Sequence, residues 1–198
     1  MIKTGLFFGS FNPVHHGHLM IAGYVAETCG LDQVWFVVSP HNPLKNKDSL
    51  LPERDRKHLI DLCIEKDTRL RTSDIEFSLP QPSYTIDTLT HLTEKYPERV
   101  FSLIMGSDNL ASLSKWKNHE QLLKYYPIWV YARRGYTENP YPGHSSVRWL
   151  DFPLLDISAT FIRENIRKGI SMQYFMPEAA WQYICDFHLY KKGKPLGQ

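Results

Sequence analysis

Cysteine is scarce in this 198-residue sequence: Cys29, Cys63 and Cys185 are odd in number and far apart. With no CxxC pair, a disulfide framework or a redox dithiol is excluded. Free thiols buried as small apolar groups are expected, in keeping with a reducing cytoplasm. Net charge is also low. Against 23 Lys and Arg stand 21 Asp and Glu, leaving a formal +2. That balance argues against the broad basic face of a nucleic-acid binder, though local cations remain available to hold a small anion. Long apolar runs are missing as well. The opening MIKTGLFF is too short for a secretory leader and lacks a small-residue cleavage site. No stretch approaches the roughly 20 residues of a membrane span. Internal repeats and linkers are absent too, so one domain over 1–190 and a loose tail over 191–198 are expected.

What the sequence does contain is strand and helix in alternation. IKTGLFFG, QVWFVVSP, RLRTSDIEF, VFSLIMG and IWVYARRG read as strands, and VRWLDFPLLD holds a short sixth candidate. VFSLIMG is almost wholly apolar, as suits a strand covered on both faces. Between them, HGHLMIAGYVAETCG has helical periodicity ending at Gly30, and LPERDRKHLIDLCIEKD opens with Pro52 at a first helical position. TIDTLTHLTEKYP reads as an amphipathic helix, DNLASLSKWKNHEQLLKYYP as one or two short helices, ISATFIRENIRKG as a helix ending at Gly169, and PEAAWQYICDFHLY as the last. This order predicts an α/β, Rossmann-like, doubly wound fold: a mostly parallel sheet of five to six strands with helices on both faces. Ligands in such sheets bind beyond the carboxyl ends of the strands, where the strand order reverses.

At the first such end stands GSFNPVHHGH, residues 9–18. The unpaired N–H groups and the dipole of a starting helix make a phosphate site there plausible. His15 and His18, three apart, share a face if both lie in the first turn. Gly17 between them admits a ligand close to the backbone. Other readings stand beside this one. The histidines are surface groups at a helix start, or they ligate zinc, although no third ligand follows at a recognisable spacing. The G-x-G-x-x-G spacing of a dinucleotide fingerprint is absent.

The stretch resembles the (T/S)F-(D/N)-P-x-H-x-G-H signature of the nucleotidyltransferase superfamily, with His15, Gly17 and His18 as H-x-G-H. ISATFIR, residues 157–163, resembles the I-S-S-T-x-I-R motif of adenylyl-transferring members. SPHNPLK, SYTIDTL and LIMGSDNLASLSKWKNHEQLL are similar to segments of the bacterial nicotinate (nicotinamide) mononucleotide adenylyltransferases. The likeness runs from about residue 2 to residue 190. Two positions depart from it: Leu44 replaces a His, and Ala159 replaces the second Ser of I-S-S-T.

The resemblance implies an enzyme that joins a pyridine mononucleotide to ATP with release of pyrophosphate, in NAD biosynthesis. Its partners would be those two small molecules, with no nucleic acid and no membrane. Mg²⁺ would be the cofactor, held by substrate phosphates and water with no dedicated protein metal site. Catalytic roles are implied for His15, His18 and Arg163. Both imidazoles are expected to be protonated beside phosphate. ATP would be held by Gly9, Ser10, Phe11, Gly17, Gly106, Asp108, Ile157, Ser158, Thr160 and Arg163. The acceptor would be held by Asn12, Lys45, Thr85, Trp116 and Arg133, with Trp116 stacking on the pyridine.

Each assignment has a purely structural counterpart. Ser158 and Thr160 serve as helix caps, Asp108 as the cap of the next helix, Trp116 as core, Lys45 as a solvated lysine, and Arg133 as partner of a surface carboxylate. A phosphopantetheine-type adenylyltransferase and a non-catalytic nucleotide-binding module remain alternatives. Assembly into a homo-oligomer stays open.

Overall fold

The computed structural model describes residues 1–40 and 50–191. Lys45, Leu44 and the tail 192–198 lie outside the described residues. Six strands, β1 (Ile2–Gly9), β2 (Gln33–Val38), β3 (Leu70–Ser73), β4 (Arg99–Gly106), β5 (Ile128–Tyr131) and β6 (Val147–Trp149), form one sheet. Its order is β3-β2-β1-β4-β5-β6, and every neighbouring pair is parallel. The order reverses between β1 and β4. Leu6 pairs with Leu103 across that reversal, so Gly9 and Gly106 end their strands on the same edge.

Alternation along the strands divides the core into two layers. Phe7 of β1, Val34, Phe36 and Val38 of β2, and Ile104 of β4 face one layer. It is completed by helices α1 (His16–Thr28), α2 (Glu53–Ile64), α6 (Ala159–Arg167) and α7 (Glu178–Asp186). Leu6, Trp35, Val37, Phe101, Leu103 and Met105 face the other. It is covered by α3 (Thr85–Lys95), α4 (Ser107–Ala111) and α5 (His119–Tyr125). Helices on both faces are what a parallel sheet requires, because its crossovers must return across one face or the other.

Several boundaries differ from the sequence expectation. RLRTSDIEF remains a strand only to Ser73, where pairing with Val37 ends, and then tightens into a 3-10 turn over Ile75–Phe77. Pro52 is the N-cap of α2 and not its first turn. α7 stops at Asp186, four residues before Tyr190, and His188 and Tyr190 take left-handed backbone angles. The three cysteines are free and half-buried rather than fully buried. Gly30 and Gly169 do end α1 and α6, at φ +63° and +78°, a region costly for residues with a side chain. Among the described residues no helix is long and apolar enough to cross a membrane.

Candidate active site

The site grows out of the turn after β1. Phe11 folds back with φ 44° and is almost fully buried. Its ring lies edge-on to Phe7, Phe36 and His18, with centroids 5.6, 5.3 and 5.0 Å away. A Cβ on Gly9 would lie 2.9 Å from the tip of that ring, so the turn needs glycine there. The next residue, Asn12, is buried. Its carbonyl accepts from Arg163 Nη1 at 2.7 Å, and its Oδ1 accepts from the Tyr190 hydroxyl at 2.7 Å and the Leu51 amide at 3.3 Å. One residue near the start of the chain is thus gripped by two near its end.

His15 is the N-cap of α1, so it precedes the first turn instead of lying in it. Its ring nevertheless stacks on that of His18, centroids 3.7 Å apart and planes 27° apart. The His15 amide donates to Nδ1 of His18 at 3.3 Å. In a neutral His18 this places the ring proton on Nε2, which makes that nitrogen a donor. Gly17 leaves room for the His15 ring, since a Cβ would meet Cε1 and Nδ1 at 3.1 Å. Its absent side chain therefore serves packing within the motif as well as access to the backbone.

His15 is 3% exposed, and its Nδ1 is buried with no hydrogen-bond partner among the described residues. Burial above all, then the nearby charges of Arg133 and His16, lowers its pKa to about 3. The protein's own groups thus favour a neutral His15.

His15, Gly17 and His18 line a cleft together with Tyr131, Arg133 and Ile157. Ile157 belongs to the second motif, so H-x-G-H and ISATFIR meet in one cavity. Ser158 caps α6, its Oγ accepting from the Phe161 amide at 3.2 Å, as the structural reading anticipated. Thr160 is exposed and accepts from Arg163 Nη2 at 3.3 Å. Arg163 is half-buried, its Nε has no partner among the described residues, and burial lowers its pKa from the usual arginine value.

Gly106 itself caps α4, so Asp108 sits inside that helix and is not its cap. Asp108 Oδ1 lies 3.9 Å from Arg133 Nε. A Cβ on Gly106 would collide with Asp108 Oδ1 and come within 2.9 Å of Arg133 Cγ. The Arg133 amide donates to the buried Ser107 hydroxyl at 2.9 Å. Arg133 therefore stands in the same cleft as the histidines.

Thr85 and Trp116 form a separate group. Thr85 opens α3, and Trp116 follows a 3-10 turn, half-buried against the second core layer. Their neighbours tie the two segments together: Lys117 Nζ binds both oxygens of Asp87, at 2.7 and 3.1 Å, and lies 4.9 Å from the Tyr84 ring centre.

Two buried residues of the site escape motif reading. Arg56 falls with Leu59, Ile60 and Ile64 on the buried stripe of α2; a charge in an apolar stripe is the signal that marks it. Glu76, in the 3-10 turn, accepts from Thr88 Oγ1 at 2.9 Å. Burial pushes its carboxyl above the usual range.

The family described as Cytidylyltransferase-like matches residues 6–165. A protein of Flavobacterium psychrophilum named "Probable nicotinate-nucleotide adenylyltransferase" is 50% identical over 193 residues, covering 96% of this chain and all of that one. A protein of the same name from Bacteroides fragilis is 47% identical over 182 residues, covering 92% and 90%. Among solved structures, Plasmodium falciparum nicotinic acid mononucleotide adenylyltransferase complexed with NaAD superposes with TM-score 0.79 at 19% identity. That match covers 96% of this chain and 98% of the other, and extends the likeness to the fold. Identity near one half along almost the entire chain, on this sheet and with both motifs in one cleft, means that the chain belongs to the nicotinate-nucleotide adenylyltransferase family.

Proposed function

We infer that the protein joins nicotinate mononucleotide to ATP, giving deamido-NAD and pyrophosphate in NAD biosynthesis. The observation that carries this reading is the meeting of His15, Gly17 and His18 with Ile157 in one cleft while Arg163 holds Asn12 beside them. A phosphate oxygen of the mononucleotide attacks the α-phosphorus of ATP. The bond from that phosphorus to the β-bridging oxygen breaks, and pyrophosphate leaves with the electron pair. A phosphate dianion is already nucleophilic near neutral pH, so no general base is required. Rate enhancement then comes from alignment and from donors aimed at the developing charge.

In this scheme the α1 amino end and the Gly9–Phe11 turn receive the triphosphate. His18 donates from Nε2 to the α-phosphate, and His15 lies against the adjacent oxygens. Arg163, Ser158 and Thr160 hold the β- and γ-phosphates, while Gly106, Asp108 and Ile157 bound the adenosine. Thr85 and Trp116 recognise the pyridine end of the acceptor, with Asn12 and Arg133 toward its phosphate. Because Arg133 shares the histidine cleft, it faces the reacting phosphates more than the pyridine.

Among the described residues no three His, Cys, Asp or Glu side chains converge as metal ligands. The residues present fit a Mg²⁺ held by triphosphate oxygens and water, where it would neutralise polyphosphate charge. The unpaired cysteines support a cytoplasmic setting.

The test is pyrophosphate release from ATP and Mg²⁺ with nicotinate mononucleotide, nicotinamide mononucleotide or phosphopantetheine supplied in parallel. Preferential turnover of the nicotinate compound is expected. Preference for phosphopantetheine, or no release with any acceptor, would overturn the reading.

A further inference from the structure

Arg56 is fully buried, and no carboxylate among the described residues pairs with it. Among the described residues all its hydrogen bonds go to backbone carbonyls. Nη1 donates to Ser10 at 2.6 Å and to Ser39 at 2.8 Å, Nη2 to Pro40 at 2.9 Å, and Nε to Leu51 at 2.9 Å. Those carbonyls belong to three separate pieces of chain: the turn after β1, the exit of β2, and the approach to α2. Leu51, one of the residues Arg56 holds, donates its own amide to Asn12 Oδ1 at 3.3 Å. Burying a guanidinium without a counter-charge is costly. A fork of donors set in one plane is suited to fixing several carbonyls at once, whereas a lysine ammonium offers a single point charge.

We propose that Arg56 is a positioning residue for the reaction. It locks the phosphate-binding turn at Ser10 onto the exit of β2 and onto Leu51, whose amide binds Asn12, and so sets the alignment of the attacking phosphate with the α-phosphorus. Fully buried, its side chain offers neither substrate a surface. A shift of about an ångström between nucleophile and target lowers the chemical step far more than it lowers binding. The proposal rests on the adenylyl transfer inferred above, and turnover by the wild-type protein tests that reading separately.

The experiment compares Arg56→Lys and Arg56→Gln with wild type, using protein selected as folded by gel filtration and matched by circular dichroism. Single-turnover formation of the dinucleotide should fall on the order of 10²-fold, with the KM for each substrate changing less than about threefold. Amide hydrogen exchange, which needs no turnover, should accelerate at Gly9, Ser10, Phe11, Asn12, Val14, Ser39 and Leu51 while the β4 amides stay protected. A single-turnover rate per folded molecule within threefold of wild type, or exchange unchanged in the turn, would overturn the proposal. So would failure of both variants to fold, since Arg56 would then serve stability alone.

Discussion

The His15 amide donates to Nδ1 of His18 while the two rings stack 3.7 Å apart, so the geometry of each imidazole depends on the other. His18 is both the last link of the N-cap and the donor proposed for the α-phosphate. Replacing His18 by Ala is expected to cost about 1 kcal/mol of stability through the lost cap acceptor. Turnover should fall by about 10²–10³, the usual cost of one transition-state donor. Stopped pyrophosphate assays and urea melts on one preparation separate the two effects. Near-normal turnover in a folded H18A protein would remove His18 from the chemistry.

His15 makes stability depend on pH in a calculable direction. Its folded pKa of about 3 lies below the ordinary imidazole value. Above that ordinary value both states hold it neutral. As pH falls, the unfolded chain takes up a proton that the folded protein refuses until about pH 3. Stability is therefore intact at neutral pH and drains away on acidification. From pH 7 to pH 5 this one group should remove roughly 2 kcal/mol. In urea titrations His15→Gln should show a correspondingly shallower loss. Identical slopes for the two proteins would refute the assignment.

Tyr190 and Arg163 converge on Asn12, and their removal should differ in kind. Tyr190→Phe deletes one buried donor, leaving the Leu51 amide on Asn12 Oδ1, and should cost about 1 kcal/mol with only a severalfold loss of turnover. Arg163→Ala should cost 10²-fold or more in kcat/KM for ATP, on the order of 3 kcal/mol, because a charged fork on phosphate is lost together with the Asn12 contact. Calorimetric melting and ATP titrations read the two quantities.

If Trp116 stacks on the pyridine, Trp116→Ala should raise the acceptor KM roughly tenfold or more, a stacking energy of about 1–3 kcal/mol, with the KM for ATP nearly unchanged. An equal rise in both constants would mean that the indole only packs the second core layer.

Gly106→Ala tests the other strand end. The new methyl must displace Asp108 and press on Arg133, a strain of about 1–3 kcal/mol. The folded variant is expected to bind ATP about tenfold more weakly, as measured by equilibrium titration.

The fold was largely legible because each strand carries its own signal. QVWFVV and VFSLIMG are apolar apart from Gln33 and Ser102, as suits strands covered on both faces. The end of β3 was not, because DIEF alternates like a strand while the ladder runs out at Ser73 and Glu76 turns inward. Residues 9–18 and 157–163 were legible by their order and spacing, and they do meet. The position of Arg133 beside Asp108 was not, since a residue following a strand reveals nothing about which neighbouring loop it will face. Arg56 and Tyr190 were missed for a shared reason: their partners are backbone carbonyls and an amide oxygen up to 178 residues away, and no motif records such contacts.

The hydroxyl of Tyr190 on Asn12 also bears on synthesis. A growing polypeptide threads its first strand and both histidines into the cell long before residue 190 leaves the ribosome. Until then Asn12 has at most one of its two distal ligands, Arg163 arriving before Tyr190, and the phosphate-binding turn is the last part to be fixed. Messages cut short upstream of the Arg163 codon should therefore yield polypeptides that retain most of the sheet yet capture no ATP, whereas those that lose only Tyr190 should bind it more weakly.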